Sequence, residues 1–177
     1  DYAMACVRAA SEAGADSIDL CETNGGALPH AVDAVVAAVA RELPGQQLGI
    51  HCHNDSGCAV ANSLAAVRAG ATQVQGTVNG FGERVGNTDL LTVIADLELK
   101  MGCTCVGEER LRDLTSVAQF VAETCNLSVP NHHPYTGASA FAKKSSPCRT
   151  KSVVAIDSAT VPSGMTYPRA MPRSITY

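Results

Sequence analysis

The feature that most constrains the fold is a repeat of one helix followed by one strand. Residues 9–15 (Ala-Ala-Ser-Glu-Ala-Gly-Ala) resemble residues 65–71 (Ala-Ala-Val-Arg-Ala-Gly-Ala) at an offset of 56 residues. Each segment precedes a short β-prone run, in which Ile18 aligns with Val74 and Thr23 with Asn79. Another β-prone run, residues 48–53, lies midway, so the period is near 28 residues. Strands joined by helical crossovers lie parallel, wound as an open sheet or closed as a barrel. A complete eight-fold barrel needs about 250 residues. The chain has 177 residues and shows three β/α units, so it cannot close a barrel alone. The expected fold class is α/β, either an open three-layer sandwich or a partial (β/α)8 TIM barrel.

Punctuation along the chain places the elements. Residues 3–13 read as a helix ended by Gly14, and residues 17–23 as a strand stopped by Asn24-Gly25-Gly26. Pro29 suits a helix start, and Val32, Val35, Val36, Val39 and Leu43 then fall on one helical face before Pro44-Gly45. A strand over 48–53, a helix over 58–69 ended by Gly70 and a strand over 73–79 follow. Helices over 88–101 and 108–125 complete the set, the latter with Leu111, Leu114, Ala118, Val121 and Cys125 at helical spacing.

Charge divides the chain near residue 142. Residues 1–142 hold seven Lys/Arg against sixteen Asp/Glu, a net of −9, whereas residues 143–177 hold six against Asp157 alone, a net of +5. Four of the eight prolines (Pro147, Pro162, Pro168 and Pro172) also lie in this last part, which is expected to be a poorly ordered tail. The overall net charge of −4 argues against a general nucleic-acid binder. No apolar run of about 18 residues exists to span a membrane. The first residues lack the basic-then-apolar order of a secretory leader, and Asp1 in place of Met suggests a start within a longer reading frame. Eight cysteines (Cys6, Cys21, Cys52, Cys58, Cys103, Cys105, Cys125 and Cys148) form no Cys-x-x-Cys pair. They are expected to be reduced thiols in a cytoplasmic protein, most of them small core residues.

The sharpest chemical signal is His51-Cys52-His53-Asn54-Asp55. Strand side chains alternate, so His51 and His53 point one way and Cys52 the other. The pair lies at the C-terminal end of its strand, where parallel β/α folds build their sites. Two imidazoles there suit a divalent metal, and two core histidines bonded to loop carbonyls are the alternative. The next strand ends in a glycine-rich loop over residues 79–87, in which Asn87 offers an amide oxygen to a hard cation. Within it Glu83 and Arg84 are either a surface pair or a support that orients the histidines. Thr23 ends the first strand, where a hydroxyl can hold a substrate carboxylate or simply stabilise a Thr-Asn-Gly turn. The glycine patterns of nucleotide sites are missing. Cys103-x-Cys105 lacks a partner pair for zinc. His132 and His133 lie in a loop, either solvated or with one of them reaching a site from outside, and Ser116, Ser139, Ser145 and Ser146 show no nucleophile-elbow context.

Three stretches carry a resemblance: residues 19–30 (Asp-Leu-Cys-Glu-Thr-Asn-Gly-Gly-Ala-Leu-Pro-His), residues 49–64 around His51-Cys52-His53-Asn54-Asp55-Ser56-Gly57, and residues 82–87 (Gly-Glu-Arg-Val-Gly-Asn). Together they resemble the 2-isopropylmalate synthase, homocitrate synthase and citramalate synthase family. Thr-Asn-Gly-Gly, residues 130–135 (Pro-Asn-His-His-Pro-Tyr) and residues 137–142 (Gly-Ala-Ser-Ala-Phe-Ala) bring the citramalate branch nearest. The likeness covers about residues 1–142.

The resemblance implies a metal-dependent barrel of which residues 1–102 supply about strands six to eight. Residues 103–142 would start a post-barrel helical linker, and residues 143–177 diverge. It implies that His51 and His53 bind a divalent metal (Mg, Mn or Zn), with Asn87 a further ligand or its close neighbour. Thr23 would contact the 2-oxo acid, and the loop from Glu83 to Asn87 would lie near acetyl-CoA. The reaction implied is a Claisen condensation of acetyl-CoA with a 2-oxo acid, most simply pyruvate to citramalate in branched-chain amino-acid biosynthesis, by an enzyme that is a homodimer at full length. Alternatives are 2-isopropylmalate or homocitrate synthesis, a lyase or aldolase on the same barrel, and a non-catalytic remnant. Two departures stand out. The family's Asp-Thr-Thr-Leu-Arg-Asp-Gly motif, which supplies a ligand and an arginine, has no match. After Ala142 the family's His-Lys-Gly-Gly-x-His gives way to residues 143–148, which put Cys148 where its second His belongs. The chain alone is therefore expected to be a fragment without turnover.

Overall fold

The structure is a computed structural model that describes residues 2–140 and 142. Its elements are α1 (Tyr2–Glu12), β1 (Ser17–Glu22), α2 (Pro29–Glu42), β2 (Gln47–Cys52), α3 (Ala59–Ala69), β3 (Gln73–Gln75), α4 (Leu90–Lys100) and α5 (Leu114–Thr124). Short 3-10 turns cover Val78–Gly80 and Glu108–Asp113. The strands form one parallel sheet in the order β1-β2-β3, with Cys21 beside His51 and His51 beside Gln75. The β/α repeat read from the sequence is thus present as three parallel units.

Strand alternation sorts the sheet into two unlike faces. Ile50 and Cys52 of β2 and Val74 of β3 pack with Val32 and Val36 of α2, Ala66 and Val67 of α3, and Val93 and Leu97 of α4. The opposite positions read Ser17, Asp19, Cys21, then Gln47, Gly49, His51, then Gln73, Gln75. Asp19, Cys21 and Gln47 on that face are exposed. The helices thus cover one face of the sheet and leave Asp19, Cys21 and Gln47 of the other facing solvent. Neighbouring outer helices are tied at the surface: Arg68 of α3 meets Asp33 of α2 at 2.8 Å, and Arg8 of α1 meets Glu42 of α2 at 2.5 Å.

Several boundaries differ from the sequence reading, each for a local reason. The strand expected over 73–79 stops at Gln75, because the carbonyl of Thr88 crosses where a side chain on Gly76 would stand. The helix expected from residue 88 starts at Leu90, because Asp89 serves as its N-cap and accepts from Leu91 N and Thr92 N at 3.2 Å each. The helix expected over 108–125 divides into a 3-10 turn and α5. Its first turn is exposed at Glu108, Glu109, Arg110, Arg112 and Asp113, so no packed face holds it in register, whereas Leu114, Ala118 and Ala122 anchor α5. Val35, placed on the apolar face of α2, is instead exposed, and Val32, Val36 and Val39 carry the burial.

The cysteines are a second correction. Among the described residues only Cys52 and Cys103 are buried; Cys58 and Cys105 are half-buried, and Cys6, Cys21 and Cys125 are exposed free thiols. Among the described residues no helix is long and apolar enough to cross a membrane. The tail at 143–177, with Cys148, lies outside the described residues.

Candidate metal centre

The three strands deliver their loops to one end of the sheet, and hydrogen bonds knit those loops together. His53 N donates to Glu22 O at 3.2 Å and Ser56 N to Gly25 O at 2.8 Å, joining the ends of β2 and β1. Asn54 N donates to Gly86 O and Thr88 N to Cys52 O, both at 3.0 Å. These last two bonds make His53 and Asn87 partners in an isolated antiparallel bridge. Gly86 holds φ +108, and a side chain there would meet Gly80 O, so the loop closes over itself only with glycine.

His51 of β2 and His53 just past its end are neighbours, with ring centroids 5.2 Å apart and planes tilted by 58°. Cys52 between them is fully buried on the helix side, where burial pushes its thiol up to about 12 against the pull of a hydrogen bond with Ser63. It therefore stays a protonated thiol and serves as core, not as a ligand.

Four buried polar atoms at this end have no hydrogen-bond partner: Nδ1 of His53, Oδ1 of Asn87, Oδ1 of Asn79 in the same loop, and Oε2 of Glu22 at the end of β1. Unpaired buried acceptors are costly, about 1–3 kcal/mol each. Two of them belong to the bridged residues His53 and Asn87 and come as one imidazole nitrogen and one amide oxygen. That is a donor pair a divalent cation accepts. Among the described residues no three His, Cys, Asp or Glu side chains converge on one point, and the unpartnered carboxylate oxygen of Glu22 stands in register with Cys52 on the helix side, so the bridged set is imidazole and carboxamide. The residues present fit a cation that takes its anionic ligand from elsewhere.

Behind the site a buried hydroxyl pair fixes the loop. Thr88 and Ser63 are both fully buried, and their hydroxyls lie 2.9 Å apart. Thr88 Oγ1 also faces Cys52 O at 3.2 Å and Ala59 O at 3.3 Å. The residue after Asn87 is thus bonded to the residue before His53.

In front, Arg84 ties the three loops. Its Nε and Nη2 donate to Asp55 Oδ1 and Oδ2 at 2.8 and 2.9 Å, and Nη2 also donates to Thr23 O at 2.7 Å. These bonds hold the Asp55 carboxyl below the usual range and the Arg84 guanidinium above its own. The pairing with Glu83 considered from sequence is only a 3.8 Å approach to an exposed carboxylate. Thr23 is exposed, and its carbonyl, not its hydroxyl, makes the recorded contact.

Two contributors escaped sequence reading, Asn79 and Asp89, and a third, His133, is the one of the two loop histidines that reaches the site. Asn79 takes φ +62, is 8% exposed, and donates Nδ2 to Ala118 O of α5 at 2.8 Å. Its signal was the Asn-Gly pair, since Asn tolerates that backbone region. Asp89 sits where a capping residue precedes a helical pattern. His133 lies half-buried with Nε2 3.6 Å from Asp89 Oδ2, whereas His132 is exposed. A cleft of about 590 Å³ opens there, with Asn54, Asn79, Asn87, Asp89 and His133 among its walls.

A family model described as HMGL-like matches residues 1–121. The chain belongs to the HMGL-like family. Within that family it is 56% identical over 144 residues to the (R)-citramalate synthase of Streptomyces coelicolor, covering 81% of this chain and 27% of that relative. It is 38% identical over 144 residues to the homocitrate synthase of Sulfurisphaera tokodaii, covering 81% of this chain and 31% of that relative. Among solved structures, the HMG-CoA lyase of Bacillus subtilis superposes with a TM-score of 0.62 at 26% identity, over 72% of this chain and 44% of that one. The chain spans about a quarter of the length of the citramalate synthases it matches.

Proposed function

We propose that this chain is part of a synthase that condenses acetyl-CoA with a 2-oxo acid, pyruvate in the first instance, to give citramalate. One observation carries the reading. His53 and Asn87, which the family resemblance marks as ligands, are bridged to each other and bury an unpartnered nitrogen and oxygen at the strand ends. Identity of 46–56% to five (R)-citramalate synthases, against 37–38% to three homocitrate synthases, favours pyruvate over a larger 2-oxo acid.

In this reading residues 1–102 are strands six to eight of a (β/α)8 barrel with their helices, residues 103–142 begin a linker, and the whole enzyme is a cytoplasmic homodimer. His51, His53 and Asn87 hold a divalent cation, Mg, Mn or Zn. That cation, when bound, supplies Lewis-acid polarisation of the 2-oxo acid's ketone. Thr23 at the end of β1 presents its hydroxyl to the substrate carboxylate. The loop from Glu83 to Asn87 lies beside the acyl-CoA, and Arg84 keeps that loop, Asp55 and Thr23 in one arrangement. Loss of a methyl proton from acetyl-CoA gives the enolate that attacks the ketone, and thioester hydrolysis then releases CoA. The sequence holds no match for the family's Asp and Arg motif, so the chain alone gives no measurable condensation.

The test is a chimera in which residues 1–142 replace the matching segment of the Streptomyces coelicolor relative. Pyruvate-dependent release of CoA thiol, abolished by His51→Ala, is the expected result. Release with pyruvate that is unaffected by His51→Ala overturns the assignment, as does activity only with another 2-oxo acid.

A further inference from the structure

Segment 130–137, which no step of the proposed reaction uses, is built as a strap across the site's outer side. Backbone bonds close it: His133 N to Pro130 O at 2.9 Å, Gly137 N to His133 O at 3.0 Å and Ser139 N to Asn131 O at 2.8 Å. A side chain on Gly137 would meet Pro130 O, Asn131 O and His133 N, so the turn admits only glycine there. Thr136 is 2% exposed, and its hydroxyl lies 2.8 Å from His133 Nδ1. That bond leaves the other ring nitrogen of His133 directed at Asp89, 3.6 Å away.

Asp89 joins the strap to the site. It caps α4 through Leu91 N and Thr92 N, and it stands two residues after Asn87. Two turns further along α4, Asp96 accepts the hydroxyl of Tyr135 at 2.6 Å. Tyr135 holds φ +57, a backbone region that bulky residues avoid. Strain of this kind persists where surrounding contacts over-determine it, and it concentrates at functional sites. Here the strained residue is the one that latches the strap to α4.

We propose that Tyr135 is a positioning residue for Asn87: its latch to Asp96 holds the strap, so that His133 braces Asp89 and fixes the loop that presents the Asn87 carboxamide. The inference rests on the reading of Asn87 as a ligand, and it names a control that acts from outside the ligand set. Loss of a group bonded directly to a ligand lowers metal affinity by about 10–100-fold, and a support further out acts at the low end of that range.

The experiment uses the chain as it stands, with Mn2+ alone as probe and free Mn2+ read by electron paramagnetic resonance. The side-chain amide signals of Asn87 are followed in parallel by nitrogen-15 NMR without metal. Tyr135→Phe keeps the ring and removes the hydroxyl. It is expected to weaken Mn2+ binding about tenfold, at the low end of that range, and to move the Asn87 signals. Asp96→Asn keeps an acceptor and is expected to stay near wild type, whereas Asp96→Ala follows Tyr135→Phe and stands in for it if that variant fails to fold. Unchanged Asn87 signals in Tyr135→Phe or Asp96→Ala overturn the strap. Loss of the Asn87 response to Tyr135 and loss of the metal reading are separable. If His51→Ala leaves Mn2+ binding intact, the ligand assignment fails, and the metal-free Asn87 signals still decide whether the latch positions that side chain.

Discussion

His53 and Asn87 face each other across an antiparallel bridge at the end of a parallel sheet, and each buries a polar atom that no protein group satisfies. The bridge arises because the chain leaving β3 folds back along the end of β2, donating from Thr88 N to Cys52 O and accepting at Gly86 O from Asn54 N. A loop pinned on both sides of Asn87 sets the amide beside the imidazole without a direct bond between them.

Arg84 is the most exposed of the elements that hold this arrangement, and its replacement is informative. Arg84→Lys loses the two-pronged contact with Asp55, since an ammonium cannot reproduce the planar fork. Both Arg84→Lys and Arg84→Ala are expected to leave the thermal midpoint within a few degrees while raising protease sensitivity in residues 80–86. Limited proteolysis with mass spectrometry checks this, and equal cleavage in wild type and variants counts against the clamp.

Asp89→Ala removes the N-cap of α4 and is expected to cost about 1 kcal/mol of stability. Asp89→Asn retains a capping oxygen and is expected to recover most of it. Urea unfolding of the three proteins reads the difference, and a loss in Asp89→Asn equal to that in Asp89→Ala contradicts the cap.

Tyr135 gives a pH dependence with a defined sign. The hydrogen bond to Asp96, followed by burial and the nearby charge, pushes its phenol up to about 12. Its unfolded value is about 10. A folded value raised above the unfolded one means that the contribution is fully present below pH ~10 and is lost as pH climbs toward ~12. Phenolate absorbance of the folded protein is expected to show a late-titrating component that Tyr135→Phe removes. A titration curve that Tyr135→Phe leaves unchanged contradicts the latch.

Among the described residues β1 and β3 each leave one strand edge unpaired, and the polar sheet face is open at Asp19, Cys21 and Gln47. Unpaired edges template association with other strands. Size exclusion with light scattering is expected to report species larger than 18.3 kDa. A clean monomer at that mass contradicts the expectation.

Much of the architecture was legible because it rests on punctuation and period. Gly14, Pro29, Pro44-Gly45 and Gly70 bound elements that the structure places where they were read. The histidine pair was legible from alternation alone, with Cys52 turned into the core. What escaped depends on contacts between loops far apart in sequence. Arg84 makes its close, two-pronged contact with Asp55, 29 residues away, and reaches adjacent Glu83 only at 3.8 Å. Asn79 reaches Ala118, and Tyr135 reaches Asp96, each 39 residues distant. Val35 misled because helical spacing defines a stripe wider than the face that β1 and β2 cover. The early stop of β3 follows from the approach of Thr88 O to Gly76, a tertiary contact with no local signature.

The central claim is that His51 and His53 are joint ligands of one divalent cation, and the five histidines of the chain allow a direct test. Imidazole signals are followed during titration with Mn2+, whose paramagnetism broadens nearby nuclei. The account predicts that His51 and His53 broaden together and saturate before His30 and His132, which are exposed. Broadening of all five in parallel, or of His51 without His53, contradicts it.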